Sequence, residues 1–587
     1  MSLHRDLGLS TLLISILASV GCANAEDVSF APGYDAGAKV DTAEIDTGSV
    51  VEDTGSVVED TGTKKDTAVA VDTGSAVDSS TSDSATAVDS VATDSTISDS
   101  GASDSSTIDS STSDSSTVDS SVADSALADS ASGDTSDETG STTTRLVSGT
   151  VTLHGVTTDG YVVYSDSAST TYAVALTGGT PQTIGTSTTR VLLSGKAAFA
   201  WSTLDGYGFG SLRVWTAVNG AKAIATKSLA PSSTAAYAFY VAAASADGQY
   251  AMYTDGGVGG VSDKADVKLV KTDGTGVKTV FTQYVVYDGS TAALNDYCAP
   301  YLGWVGTRFV TSHCTPVSST VSFDASSIDP AVGTATSLGT SLGNYWAADD
   351  AGTKVALITS AGSLRLLPIA GGTAMVVDSG VASAMFTHDG TYVLYRTSLN
   401  ALKRSPTASA SPSTLVSSGV ATILSGVSPN DKFVLYSSAT TAGAYNVRLA
   451  STTTAGTGTV LYATSGGDVY GDAFTADSSH ALYYQSVVSE VGTLTAQPTA
   501  GGSGITLGTS AWINWATTGS KVVWNDGYSS TTGRATIRTR DLSSLTGTIV
   551  TIAADADRNF VLTPGKDRVV YTLSGGTSDG LWTAVIP

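Results

Sequence analysis

From residue 144 onward, short apolar runs alternate with polar turn segments in a repeating order. Each repeat opens on a small polar residue, passes through a turn and ends in an apolar strand, most often tipped by an aromatic residue. Clear copies read Thr157-Thr-Asp-Gly-Tyr-Val-Val-Tyr164, Ser245-Ala-Asp-Gly-Gln-Tyr-Ala-Met-Tyr253, Thr387-His-Asp-Gly-Thr-Tyr-Val-Leu-Tyr395 and Thr475-Ala-Asp-Ser-Ser-His-Ala-Leu-Tyr483. Another ends at Tyr571, and weaker copies end near Trp201, Val310, Leu357 and Trp524. With the copy at 428–436 this makes ten, spaced on average about 45 residues apart, the length of a four-stranded propeller blade.

Single repeats resolve into strands. From Lys354, a strand is predicted over Val355–Ile358, a turn at Gly362, a second strand over Leu364–Ile369 and a third from Met375. The lead-in Ala382–Thr387 is expected to be the fourth. Gly371-Gly372, Gly178-Gly179, Gly501-Gly502 and Asp273-Gly274 supply the positive φ that tight hairpins need. The fold class is therefore all-β, a β-propeller of about ten four-stranded repeats, with seven or eight blades as the alternative. About one strand, ending at Leu581–Ile586, fits after Tyr571, so the strands near Leu146–Leu153 are expected to complete the last blade and protect its edge. One small core per blade interface lets so long a domain fold.

The nonapeptide Ser428-Pro-Asn-Asp-Lys-Phe-Val-Leu-Tyr436 and its sisters resemble the Ser-Pro-Asp-Gly-Lys repeat of TolB-like and WD-repeat-like β-propellers. The resemblance spans most of residues 150–587 and implies the fold. It leaves function open, because such blades serve scaffolds, peptidase gating domains, lyases and binding modules. Asp477-Ser478 and Gly519-Ser520 depart from the Asp-Gly of the pattern.

Charge divides the chain. Of a net −25 over 587 residues, Glu26–Gly140 holds 26 acidic and three basic residues, and Ser141–Pro587 holds 27 and 25. The folded part is thus near neutral, and nucleic-acid binding, which needs excess Lys and Arg, is not expected. Residues 26–143 repeat Asp-Ser from Asp78 to Asp129 at steps of five, once six. That period places apolar residues on no helix or strand face, so a disordered tether is expected, spanning roughly 60 Å as a coil. Its Asp-Thr-Gly triplets at 46, 53, 60 and 72 mimic an aspartic-protease motif, but a dyad needs two rigidly apposed carboxylates.

Residues 1–25 read as an export signal, with Arg5 before an apolar stretch over Leu7–Val20 that is short for a membrane span. Ser19-Val20-Gly21-Cys22 resembles the bacterial lipobox, with Ser19 where Leu is usual, which implies lipidation at Cys22. Ala23-Asn24-Ala25 resembles an ordinary signal-peptidase site, which implies secretion instead.

Outside the signal region only Cys298 and Cys314 remain, flanking a strand-like segment, and a disulfide is expected. A metal shared by His313 and Cys314 is disfavoured, because adjacent strand residues point to opposite faces. Asp555-Ala-Asp-Arg-Asn559 opens like a calcium loop without its Gly and closing Glu, and is expected to be a polar interblade loop. No metal or cofactor is therefore expected, and no nucleophile elbow in a helix-opening context is present.

Aromatic and polar residues gather in the repeat lead-ins: Tyr297, Tyr301, Tyr345, Trp346, Tyr470, Asp472, Trp512, Asn514 and Trp515. In TolB-like propellers the lead-in enters the central channel, which implies a mouth lined by these side chains and able to stack on a sugar or peptide. Packing between blades is the competing expectation for each. The resulting expectation is a monomeric cell-envelope lipoprotein, at the outer membrane or cell surface and held to the membrane by its lipid alone. Its propeller binds an envelope protein, peptide or glycan. A glycan lyase or hydrolase in the channel, and a spacer without ligand, are the alternatives.

Overall fold

The recurring small-polar, Asp-Gly turn has a local physical cause. Thr157 Oγ1 donates to Asp159 at 2.6 Å and accepts the Tyr161 N–H at 3.1 Å, while the Gly160 N–H reaches the Thr157 carbonyl at 2.9 Å. The same closed turn forms at Ser245, Thr387 and Ser428, whose side chains accept from the N–H of Tyr250, Tyr392 and Phe433. Its left-handed position is Gly160 (φ 85°) or Gly390 (φ 65°), and also Asp431 (φ 59°), Ser478 (φ 62°) and Lys566 (φ 53°). The departure at Asp477-Ser478 therefore keeps the turn and replaces its most permissive residue, whereas Gly519-Ser520 forms a two-residue hairpin between Thr518 and Lys521. At 349–354 a carboxylate takes the hydroxyl's place: Asp349 accepts the Lys354 N–H at 2.7 Å.

The structure is a computed structural model describing residues 142–205, 209–230, 241–256, 263–285, 301–317, 320–441, 444–463, 471–544 and 546–587. The export signal of residues 1–25 and residues 26–141 of the tether, with Cys22, Tyr297, Cys298 and Tyr470, lie outside the described residues. Among the described residues there are 38 strands, β1–β38 in chain order, and no helix. They pair into ten four-stranded antiparallel blades. Blade 1 is β2–β5 (residues 151–185), and β17 (Ala335–Ala348) and β36 (Val550–Leu562) each serve two blades, pairing backward with one half and forward with the other. All ten sequence copies end in the second strand of a blade.

Two expectations need correction. The lead-in at 382–387 lies in β21 (Val381–Phe386), which pairs with the following strands and is the first strand of the next blade. The fourth strand of the blade containing Val355 is the second half of β17, at its inner end. The closing strand is β1 alone (Thr143–Ser148), paired antiparallel with β38 (Gly580–Val585), while Leu153 belongs to blade 1.

Ten hydrophobic clusters fill the seams, each shared by two consecutive blades. The cluster of Val156, Val162 and Tyr164 with Val561, Val570 and Leu581 joins blade 1 to blade 10 and closes the ring. Alternating strand faces explain this: in β3 (Tyr161–Asp166), Val162 and Tyr164 face blade 10 while Val163 faces blade 2.

The seam between blades 8 and 9 is tight at Gly508. A Cβ there would meet the Asp526 carboxylate and lie 3.0 Å from Trp524 Nε1. Gly508→Val is expected to cost about 2–3 kcal/mol by overpacking, read as an earlier midpoint in urea with little change in slope.

Candidate functional site

In an antiparallel four-stranded blade the 1–2 and 3–4 turns lie at one end, and the 2–3 turns and interblade crossovers at the other. The crossovers carry the lead-in residues singled out above that lie among the described residues. Trp346 lies in β17 and packs partly buried on the seam between blades 4 and 5. Tyr345 is in the same strand, Asp472 in β29 (Gly471–Phe474), Tyr301 in β14 (Tyr301–Val305) and Cys314 in β15 (Arg308–Val317). Trp512, Asn514 and Trp515 share the crossover from blade 8 to blade 9, four blades beyond Trp346. The structure therefore brings the last three together and keeps Trp346 apart from them.

Trp512 (2% exposed) and Asn514 (4%) are buried, so they build the site from beneath; Trp515 remains partly exposed beside them. Tyr484 Oη donates to the Trp512 carbonyl at 2.9 Å, and the Tyr528 ring lies 4.3 Å from the Trp512 ring. The 2–3 turn of blade 8 holds the crossover by its backbone, since the Glu490 carbonyl accepts the Ile513 N–H at 3.2 Å. The same tie recurs from Ser169 to Thr188, Gly362 to Val381 and Asn400 to Val420.

The next crossover adds residues that the sequence did not single out for binding. The segment around Asp555–Asn559 is part of strand β36 and not an interblade loop; its pairing slips between Ala556 and Phe560, which bulges Arg558 out. Buried Asn514 and Asn525 both donate their Nδ2–H to the Arg558 carbonyl. Because a carbonyl only accepts, this fixes both amide orientations and leaves both Oδ1 atoms without a partner. The Arg558 guanidinium lies 5.4 Å above the Trp512 ring. Burial raises the Glu490 carboxyl above its ordinary range, against the pull of Arg558.

Neighbouring charges are already engaged. Asp557 accepts from Thr572 and Ser574, and Arg538 pairs with Asp526 at 3.2 Å. Among the described residues no cluster of three or more His, Cys, Asp or Glu is placed to hold a metal.

No protein-family model matches the chain, and no curated protein matches it. Solved β-propellers are similar in structure. TolB from Acinetobacter baumannii shares 13% identity over 52% of this chain and 81% of its own, with a TM-score of 0.25. The C-terminal WD40 domain of Sif2 shares 10% over 58% and 93%, with a TM-score of 0.30. The propeller domain of the Trilobed protease from Pyrococcus furiosus shares 11% over 49% and 93%, with a TM-score of 0.28. The chain is a β-propeller by its own sheet topology. None of these similarities transfers an activity.

Proposed function

We propose that this protein is a non-catalytic recognition module of the bacterial cell envelope, tethered through a lipid on Cys22. Its propeller binds a protein, peptide or glycan at the crossovers joining blades 8, 9 and 10. The export-like N-terminus, the lipobox-like tetrapeptide and the acidic low-complexity segment support the address. One observation carries the binding reading: two buried asparagines hold the Arg558 backbone while their own acceptors go unpaired. Leaving two buried acceptors unsatisfied costs about 1–3 kcal/mol each, and two such departures converging on one carbonyl favour a site shaped for function over one shaped for stability.

The test is capture from envelope extract on the immobilised full chain. Trp515→Ala is expected to reduce the retained partner at least roughly tenfold, the scale of one lost aromatic anchor. Trp346→Ala, four blades away, is expected to leave it unchanged. Equal retention by all three proteins sinks the placement, and saturable capture of nothing by the folded wild type sinks the binding reading.

A further inference from the structure

The position of Arg558 defines more than a place. Its backbone is locked by Asn514 and Asn525, and its guanidinium rests on Trp512, yet among the described residues no carboxylate pairs with it. Glu490, whose carboxyl feels the Arg558 charge, is not within ion-pair distance of it. A guanidinium offers a planar fork of N–H donors matched to two oxygens, and a fixed backbone lowers the entropy cost of aiming it.

We propose that Arg558 is the recognition group for a carboxylate carried by the ligand of this site. The assignment rests on the binding-module reading and names the chemistry of its ligand. A singly charged carboxylate fits better than a doubly charged phosphate monoester. Among the described residues of this site, Arg538 is held by Asp526 and Arg534 donates to the Ser574 carbonyl, which leaves the Arg558 guanidinium uncommitted. Glu490 adds negative charge, so a dianion meets too little positive potential. The partly exposed Trp515, packed on the same seam cluster as Trp512, offers the ligand body an apolar face. Carboxylates of this kind come from uronic-acid glycans or from acidic peptides.

Two matched probe pairs separate these sources: an oligogalacturonate against its methyl ester, and acetyl-Ala-Asp-Ala-amide against its Asn counterpart. Each is titrated calorimetrically into the full chain up to about 10 mM, which detects even millimolar affinity. One acid is expected to bind while its neutral partner does not. Arg558→Lys keeps the charge but loses the fork, and is expected to weaken binding about tenfold; Arg558→Ala is expected to abolish it. Glu490→Gln removes a repelling charge and is expected to tighten binding severalfold. The fold uses the Arg558 carbonyl, and the guanidinium adds one ring contact on Trp512, so these variants are expected to stay folded with at most a small downward shift of the melting curve recorded beside each titration.

Binding of neither acid, equal binding of an acid and its neutral partner, or an unchanged affinity in Arg558→Ala each overturns the assignment. An envelope partner lost by Trp515→Ala but kept by Arg558→Ala also overturns it, while leaving the binding-module reading standing. A partner kept by both variants overturns the assignment together with the placement of the site at these crossovers.

Discussion

Removing Thr143–Ser148 is expected to open the ring and lower the unfolding free energy by on the order of 5 kcal/mol. This strand is the fourth of blade 10, and it comes from the opposite end of the described chain from its partner. Its register with β38 runs from Thr143 opposite Ala584 to Ser148 opposite Gly580. Leu146 and Val147 pack on the cluster that joins blades 10 and 1, and Arg145 lies 5.6 Å over the Trp582 ring while donating to the Asp579 carbonyl. Loss of the strand leaves β38 an unpaired edge, so concentration-dependent association is expected as well. The check is a denaturant melt with sizing chromatography of the deleted chain. A peptide spanning residues 142–149, added in excess, is expected to restore stability by strand addition. An unchanged melt would mean that the ring is held by its seams without the closing strand.

The second large effect is a dependence on pH centred on His388. Its ring Nδ1 lies 2.7 Å from Asp350 of the preceding blade, and its backbone N–H donates to Asp431 of the following blade at 2.7 Å. The hydrogen bond to Asp350 is the leading cause that lifts this histidine to about 9; burial opposes it, and the charges of Asp350 and Asp431 and the Val427 carbonyl add to the rise. The unfolded chain releases this proton near 6.5, so between there and about 9 the folded chain binds more protons. The contribution is therefore complete below about 6.5 and is lost as pH rises through about 9. Its full size approaches about 3 kcal/mol from the shift, and about 2 kcal/mol after allowance for solvent at a side chain 28% exposed. His388→Ala is expected to lose that amount at pH 6 and to flatten the decline in stability between pH 7 and about 9.5. An unaltered alkaline slope in the variant would show that the three-blade clamp is not what titrates.

The same turns bring neighbouring blades together elsewhere. The Thr158 N–H reaches the Gly195 carbonyl at 3.0 Å, the Asn430 N–H reaches Ser478 Oγ at 2.9 Å, and the Asp477 N–H reaches the Gly519 carbonyl at 3.2 Å. A residue that looked like a blemish in the repeat, Ser478, thus supplies a cross-blade acceptor that glycine lacks.

Much of the architecture was legible in the sequence because it is local. A hydroxyl that closes a turn lies within five residues of the N–H it binds, as Thr387 does with Tyr392. Six such turns, a seventh closed by Asp349 and three two-residue hairpins lead into the ten second strands, and one leftover strand at each end implies closure. The strand alternation of Leu364–Pro368 and its glycine hairpin also follow from short-range rules. The assignment of each lead-in to a blade did not, since an apolar strand that begins one blade and one that ends the last have the same pattern.

The site and the clamp were decided only by the tertiary structure. Trp512 and Asn514 stood out as an aromatic and a polar lead-in, but burial turned them from ligand contacts into supports. Arg558 carried no signal beyond its place in an acidic pentapeptide. Its importance arises because a bulge in β36 sets its carbonyl between Asn514 and Asn525, 44 and 33 positions earlier in the chain. His388 likewise read as a filler in a turn until blades 5 and 7 placed Asp350 and Asp431 against it, 38 and 43 positions away. The physical reason is the same in both. A propeller repeat specifies its own turns and strands, while the contacts between repeats join residues about one blade length apart and leave no short-range pattern in the chain.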